Sequence, residues 1–375
     1  MFRKSIKLFK LLGFEVKIDA SWIILAALII WSLSTGLFPF QYQNLSIRTY
    51  WLMGIVGALG LFLSIIAHEL SHSVVARKYG MPMKGITLFI FGGVAEMNEE
   101  PVSPKSEFVM AVVGPLSSLI IAFILYGIYL ASGSIIPAPV KGVIRYLAWI
   151  NGILALFNML PAFPLDGGRV LRSFLWQWKK NLQTATRIAS KIGSGFGVAL
   201  IVLGVFNIFY RNFVGGMWWV LIGMFLYNAA GMSYRQLLVR NALEGEPVDR
   251  FMNTDPMTVP TGMSIDTLVD GYVYKHHYKM FPVVDDDKLV GCITTRQIKE
   301  VRRENWAQTK VGDIAEGCTE DNTISPGTDA VKALRKMRQT GSSRLMVVEE
   351  KDKLAGIIAL KDIMNWLSFK MDLEG

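Results

Sequence analysis

The chain has 375 residues and a formal net charge of +9 at pH 7, and 52% of its residues are hydrophobic. This hydrophobic fraction excludes an ordinary soluble protein of this length. A basic chain could bind nucleic acid, but a membrane protein with basic cytoplasmic loops explains the sign of the charge better. We therefore expect a lipid bilayer around part of the chain and no nucleic-acid partner.

Six apolar segments come close to the length of about 20 residues that a helix needs to cross a bilayer. They cover residues 20–38, 52–76, 107–131, 142–163, 188–209 and 216–232. Basic residues are concentrated before the first segment and after the second, fourth and sixth, whereas each alternate loop carries one. The loop after the fourth segment contains Arg169, Arg172, Lys179, Lys180 and Arg187. The positive-inside rule therefore predicts a protein of the cell membrane with both termini in the cytoplasm.

The second segment contains the motif HELSH, which places His68, Glu69 and His72 among residues that otherwise suit a lipid environment. Residues four apart lie on one face of a helix, so both imidazoles can reach one metal ion. Glu69 follows the first histidine, where it can contact a catalytic water without binding the metal. Zinc suits imidazole ligands and lowers the pKa of bound water to about 7. The alternative is a set of polar side chains packed between helices, but each ionisable group costs about 2.5–3.5 kcal/mol at mid-bilayer without a partner.

A catalytic zinc ion usually has three protein ligands, so the two histidines need a third. His68 lies about 24 Å from the outer start of its segment, at 1.5 Å per residue, and Asp166 lies at a similar depth along the fourth segment. Pro161 and Pro164 end the helix there, and Gly167–Gly168 free the backbone to turn the carboxylate inward. Asp166 is therefore the candidate third ligand. The alternative is a helix-end cap that faces water.

Residues 247–368 are charged and internally repeated. The sequence FPVVDDDKLVGCITTRQI at 281–298 returns as LMVVEEKDKLAGIIALKDI at 345–363. Each copy predicts a strand, an acidic turn, a second strand and a helix, and a further helix precedes each copy, at 264–278 and 328–340. The two copies resemble a pair of cystathionine-β-synthase (CBS) domains. Such pairs usually dock together and often bind adenine nucleotides.

The motif HELSH, the sequence NMLPAFPLDGG after the fourth segment and the CBS pair together resemble the site-2 protease family of intramembrane zinc metalloproteases. The resemblance implies that His68, His72 and Asp166 bind one zinc ion and that Glu69 is the general base. It also implies that Asn158 holds the substrate or the oxyanion, although an interhelical hydrogen bond is an alternative role for this residue. The implied activity is cleavage of transmembrane segments in membrane-tethered substrates.

Two segments predict a short β element near the membrane surface. GFEVKIDASW resembles the strand that leads into the family's first span, and MKGITLFIFGGVAEM at 83–97 predicts a hairpin interrupted by glycines. The family resemblance implies that this hairpin offers a sheet edge to the substrate. Strand addition would satisfy the backbone groups that are freed when a substrate helix unwinds. The sequence contains no inserted PDZ domain, so we expect no substrate selection by that route.

These observations predict a multi-pass α-helical membrane protein with about six transmembrane helices and a short β element, followed by a cytoplasmic α/β CBS-domain pair. The expected boundaries are 1–232 for the metalloprotease domain, 233–246 for a linker, and 247–303 and 309–368 for the CBS domains. Expected partners are a transmembrane protein substrate, such as a membrane-tethered transcription factor or its inhibitor, and a second copy of the chain bound through the CBS domains. A transporter or channel gated by the CBS pair and a catalytically inactive scaffold are the alternatives.

Nucleotide-binding CBS sites usually have an aspartate at the start of the final helix and a Ser or Thr three residues earlier. The second copy has Asp362 but Ala359 at the earlier position, and the first has Thr294 but Gln297 in place of the aspartate. A carboxylate accepts hydrogen bonds from ribose hydroxyls more strongly than an amide does. If one copy binds ATP or AMP, we therefore expect it to be the copy that contains Asp362 and not the copy that contains Thr294. The alternative is a CBS pair that only dimerises or docks.

Overall fold

The computed structural model describes residues 6–81, 83–89, 92–97, 101–133, 135–210, 213–286, 288–349 and 353–374. The chain divides into two compact units, Met1–Arg235 and Gln236–Gly375. The first contains the membrane-spanning helices and the second contains the internal repeat.

Six helical segments among the described residues are long and apolar enough to cross a membrane. They are α1 (Ala20–Ser32) with α2 (Phe38–Gln41), α3 (Ile47–Lys78), α4 (Pro104–Ala131), α5 (Ala138–Asn158), α7 (Leu182–Phe209) and α8 (Phe213–Leu243). A π-helical turn, Leu33–Leu37, joins α1 to α2. These segments overlap the six predicted from hydropathy, which confirms the multi-pass fold class.

Short polar side chains determine where the spanning helices begin. The Asp19 carboxylate accepts hydrogen bonds from the Ser21 hydroxyl at 2.6 Å and from the Ser21 amide at 3.0 Å, and these bonds lower the pKa of Asp19. Ser46 caps α3 and Ser103 caps α4 in the same way, each by accepting a backbone N–H of the first turn. Each cap satisfies an amide that would otherwise lack a partner at the helix end.

Four strands form one mixed sheet in the first unit, in the order β1-β2-β3-β4. They are β1 (Ile6–Leu11), β2 (Phe14–Ile18), β3 (Met83–Phe89) and β4 (Gly92–Met97). The sheet contains the predicted leading strand as β2 and the predicted hairpin as β3 and β4. Strand β1 was not predicted from the sequence; its six residues are all exposed, and it pairs with β2 through a tight turn. Parallel pairing of β2 with β3 joins the two hairpins, and Val16, Ile86 and Leu88 are buried in the sheet.

The fourth spanning helix ends earlier than the hydropathy predicts. Helix α5 stops at Asn158, three residues before Pro161, and a turn that contains a cis Phe163–Pro164 bond leads into α6 (Asp166–Lys179). Helix α6 was not predicted. It is amphipathic, with Arg172 and Leu175 buried and Phe174 exposed. Asp166 is its first residue, so the candidate third ligand lies at a helix N-terminus and not on the fourth span.

The second unit contains two similar α/β copies, as predicted from the repeat. The first comprises β5 (Val259–Pro260), α9 (Ile265–Leu268), a π-helical turn (Val269–Val273), α10 (Tyr274–His276), β6 (Met280–Asp285), β7 (Lys288–Thr294), α11 (Thr295–Glu300), α12 (Val311–Ile314) and β8 (Glu316–Gly317). The second comprises β9 (Thr323–Ile324), α13 (Ala330–Thr340), β10 (Arg344–Val348), β11 (Leu354–Ala359) and α14 (Leu360–Glu374).

The two copies have separate sheets and a common apolar contact. The sheet orders are β5-β6-β7-β8 and β11-β10-β9. Leu289 and Cys292 from the first copy and Met346 from the second are buried in one cluster. This contact between the copies is the docking expected of a CBS pair.

Candidate metal centre

Helices α3 and α6 bring three candidate metal ligands together. The Nε2 atoms of His68 and His72 each lie 3.1 Å from the same oxygen, Oδ2 of Asp166. All three residues are buried, and their potential ligand atoms lie within 4.8 Å of one another. In a tetrahedral zinc site with bonds of about 2.0–2.2 Å, ligand atoms are separated by roughly 3.4 Å. The observed spacing therefore suits a single zinc ion.

Hydrogen bonds to the second ring nitrogens orient both imidazoles. Nδ1 of His72 lies 2.6 Å from the carbonyl oxygen of Met110, and Nδ1 of His68 lies 2.9 Å from the hydroxyl of Ser118. A carbonyl only accepts, so Nδ1 of His72 carries a proton and the Nε2 of the neutral ring presents a lone pair to Asp166. A carboxylate beside imidazole lone pairs is unfavourable without a cation among them. The donor set and its tautomer thus fit a zinc ion.

The backbone of α4 lies directly against the two imidazoles at Gly114. A Cβ atom at this position would come within 2.1 Å of Nε2 of His72 and within 2.7 Å of Nε2 of His68. Any other side chain would therefore occupy the space in which the ligand atoms converge. Gly114 was not predicted as a site residue, because nothing near it in the sequence shows that a histidine from another helix lies there.

Close backbone packing also positions Asp166, although not in the way predicted. A Cβ atom at Gly168 would lie 2.3 Å from the backbone nitrogen of Phe163, and one at Gly193 would lie 2.1 Å from the Phe163 carbonyl oxygen. Gly167 approaches the Met159 carbonyl oxygen in the same way. Gly167 and Gly168 are helical residues of α6, so they serve close approach and not an unusual turn. The prediction that these two glycines form a flexible turn was wrong, but the Asp166 carboxylate does point inward, as predicted.

The carboxyl groups around the site are in a strongly polar environment. Burial of Asp166 favours its neutral form, whereas the charge of Arg169 favours the carboxylate. Glu69 is half-buried and interacts electrostatically with His68, Asp166 and Arg169. Its carboxyl group therefore lies close to two of the three candidate ligands, where a general base is required.

One basic residue that was assigned to a cytoplasmic loop is buried instead. Arg172 lies on the inner face of α6, and its Nε and Nη2 atoms are 2.6 Å and 2.5 Å from Oε1 of Glu107 on α4. Both side chains are almost inaccessible to solvent. Arg172 is therefore not a loop charge for the positive-inside rule, while the other four basic residues of that loop remain.

The structure does not bring Asn158 to the three ligands by any hydrogen bond among the described residues. Its side-chain NH₂ group donates to the Leu154 carbonyl of the same helix at 2.9 Å. The interhelical hydrogen bond considered for Asn158 is found at Asn151, which is fully buried and donates to the Ser64 hydroxyl at 2.9 Å. Ser64 lies one helical turn before His68, so this bond ties α5 to the histidine helix.

The two residues considered for nucleotide binding both take part in helix capping. Thr294 is the N-cap residue of α11, and its amide and hydroxyl donate to Oε1 of Gln297 at 2.6 Å and 2.7 Å. Asp362, in the first turn of α14, accepts the Ala359 amide at 3.1 Å. Gln297 thus takes in the first copy the capping position that Asp362 occupies in the second.

Comparison with known proteins gives a consistent family assignment. Residues 56–141 and 128–204 match peptidase family M50, and residues 248–304 and 311–369 match the CBS domain. The protein sll0528 of Synechocystis sp. is 34% identical over 97% of this chain and 95% of its own length. The zinc metalloprotease MJ0392 of Methanocaldococcus jannaschii is 32% identical over 97% of this chain and 96% of its own.

A solved structure, the site-2 protease from Methanocaldococcus jannaschii, covers 61% of this chain and 94% of its own, with 29% identity and a TM-score of 0.44. The sequence matches to sll0528 and MJ0392 cover both the spanning helices and the repeat. The chain therefore belongs to peptidase family M50, and it is a site-2 protease-like zinc metalloprotease that carries a pair of CBS domains.

Proposed function

We propose that this metalloprotease cleaves peptide bonds in the transmembrane segments of membrane-tethered proteins, with one zinc ion held by His68, His72 and Asp166. The observation that carries the proposal is the convergence of both Nε2 atoms on one Asp166 oxygen at 3.1 Å, inside a bundle of spanning helices. Buried ionisable groups in such a bundle are costly, and they usually mark a functional site.

The chain's own residues divide the chemistry between them. When bound, zinc supplies Lewis acidity that polarises the scissile carbonyl group and lowers the pKa of water. Glu69 accepts the proton of the attacking water and afterwards donates it to the leaving amine. Met110 and Ser118 hold the two imidazoles in the orientation that directs Nε2 at the ion. The role of Asn158 in holding substrate or oxyanion stays a prediction, since its NH₂ group donates within its own helix.

The substrate segment adds as a strand to the outer edge of β4. This strand lies at one end of the four-stranded sheet, and β3 pairs with its other edge. A transmembrane helix has all its peptide groups hydrogen-bonded internally, so a protease must unwind it before cleavage. Pairing with an edge strand replaces the lost hydrogen bonds and presents an extended backbone. Membrane-tethered transcription factors and their membrane-bound inhibitors are substrates of this kind.

The termini and the CBS pair face the cytoplasm in this proposal. The number of spanning segments is even, and the loops that share a side with the termini remain the more basic ones after Arg172 is excluded. The CBS pair regulates the protease by binding an adenine nucleotide at Asp362 or by dimerising. Asp362 is the candidate nucleotide residue because a carboxylate accepts hydrogen bonds from ribose hydroxyls more strongly than the Gln297 amide in the first copy does.

The decisive experiment replaces Glu69 by glutamine in the full chain and follows cleavage of a membrane-tethered reporter together with bound zinc. We expect cleavage to be lost and zinc to be retained, because a side-chain amide does not accept the proton of water although the ligands stay in place. Glu15→Gln, which changes a half-buried carboxylate of the same unit, is the control and should cleave normally. Full cleavage by Glu69→Gln contradicts the protease proposal. Zinc transport that is lost in this variant, with no cleavage in the wild type, would favour the transporter alternative.

A further inference from the structure

Helix α4 contacts both ligand-bearing helices through one continuous buried face. Glu107, Met110, Gly114 and Ser118 are spaced by three, four and four residues, so they lie on the same side of the helix. Met110 and Ser118 hold the histidines of α3, and Gly114 provides the space for their rings. Glu107, which is fully buried, lies at the end of this face.

Glu107 joins α4 to α6, the helix that supplies Asp166. Its Oε1 atom accepts from both Nε and Nη2 of Arg172, at 2.6 Å and 2.5 Å. Two donors of a planar guanidinium group on one oxygen fix the direction of the side chain as well as its distance. Arg172 lies six residues after Asp166, about 9 Å along the helix axis.

The same guanidinium group also contacts the turn that precedes Asp166. Its Cζ atom lies 5.1 Å from the centre of the Phe163 ring, within the range of a cation–π contact. Phe163 is in turn packed against Gly168 and Gly193. Arg172 thus contacts Glu107 on α4 and Phe163 in the turn before α6. Asp166 lies between Phe163 and Arg172 in the chain.

We propose that Arg172 is a positioning residue, whose buried ion pair with Glu107 sets α6 against α4 and thereby holds Asp166 at the two histidines. The inference rests on the proposed zinc site. Arg172 does not touch the ion or the substrate in this proposal. Arg172 affects zinc binding only by holding Asp166 in position.

The test measures the zinc dissociation constant of the purified full chain by chelator competition, together with thermal unfolding. Arg172→Met should weaken zinc binding by about 10–100-fold, the usual effect of losing a residue that orients a ligand. Arg172→Lys keeps the charge but lacks the planar pair of donors, so it should restore part of the affinity. Glu15→Gln removes an exposed ion pair with Lys7 and should leave zinc binding unchanged.

The double variant Glu107→Gln with Arg172→Met separates positioning from stability. It leaves no unpaired buried charge, so its thermal stability should exceed that of Arg172→Met, whereas its zinc affinity should stay low because the directed contact is still missing. Zinc affinity that recovers together with stability would show that the pair only stabilises the fold, and wild-type affinity in Arg172→Met would also overturn the inference. Asp166→Ala is measured in parallel: unchanged affinity in that variant would refute the proposed zinc site itself, independently of Arg172.

Discussion

Nε2 of His72 lies 3.1 Å from Oδ2 of Asp166, although 94 positions separate the two residues in the chain. Helix α4 supports this arrangement because the Met110 carbonyl and the Ser118 hydroxyl are hydrogen-bond partners of the imidazoles, and because Gly114 has no side chain to displace them. The histidines are thus held in their orientation by groups that do not depend on the ion. Changes on α4 should therefore affect zinc binding without touching a ligand.

Gly114→Ala should abolish zinc binding. The new methyl group would lie within 2.1 Å of Nε2 of His72, so an imidazole must leave its position. Loss of a ligand should weaken zinc affinity by more than the 10–100-fold that second-sphere changes cause. Titration of zinc into the metal-free protein, with a chelator as competitor, measures the effect.

The matched control for this change is Gly127→Ala on the same helix, where an added Cβ would meet no atom within 4 Å. Alanine there should leave zinc binding unchanged and stabilise the helix by up to about 1 kcal/mol. Normal zinc affinity in Gly114→Ala would mean that the imidazoles do not bind the ion in the observed orientation.

Ser118→Ala should weaken zinc binding by about 10–100-fold, because the Nδ1 atom of His68 loses its partner while all three ligands remain. Ser117→Ala is the control: the Ser117 hydroxyl donates to the Gly114 carbonyl of its own helix at 2.7 Å. Zinc affinity, measured for the two variants with a competing chelator, tests this prediction. Equal affinities for Ser117→Ala and Ser118→Ala would rule out an orienting role for the Ser118 hydroxyl.

Gly193→Ala should lower both thermal stability and zinc affinity, since its methyl group would lie 2.1 Å from the Phe163 carbonyl oxygen in the turn before Asp166. Gly195→Ala on the same helix meets no atom within 4 Å and should be neutral or slightly stabilising. Thermal unfolding with and without zinc measures both effects. If zinc affinity stays normal while stability falls, the turn does not control the position of Asp166.

The sequence predicts the metal centre better than it predicts what holds the centre together. His68 and His72 are four residues apart on one helix, so their common face follows from helix geometry alone. The six spans follow from length and hydropathy. By contrast, the pairing of Glu107 with Arg172 and the contact of Gly114 with the imidazoles depend on how separate helices pack, which no local pattern encodes. Strand β1 was missed because all its side chains are exposed, so it lacks the alternation that marks a half-buried strand.

Cys318 should react with a maleimide much faster than Cys292 in the folded protein at pH 8. Cys318 is exposed, whereas Cys292 is buried, and its burial raises the pKa of its thiol to about 11. The thiolate fraction of Cys292 at pH 8 is then about 1 in 1000, and only the thiolate reacts. Mass spectrometry of timed samples measures the labelling, with Cys318→Ser as the control. Rapid labelling of this variant would contradict the buried position of Cys292.

Asp362→Ala should expose the start of α14 to hydrogen exchange, whether or not the CBS pair binds nucleotide. The carboxylate accepts the Ala359 amide at 3.1 Å, and loss of such a cap costs about 0.5–2 kcal/mol. Gln297→Ala removes the equivalent cap from the first copy, where the Gln297 side chain accepts the Thr294 amide at 2.6 Å. The two variants therefore lose similar contacts, but only Asp362→Ala alters the proposed ribose site.

Exchange of the full chain, measured by mass spectrometry with and without millimolar ATP or AMP, should show protection by nucleotide in the wild type and in Gln297→Ala but not in Asp362→Ala. Loss of protection in both variants would assign the effect to destabilised helices, and absence of protection in the wild type would leave the CBS pair as an assembly module.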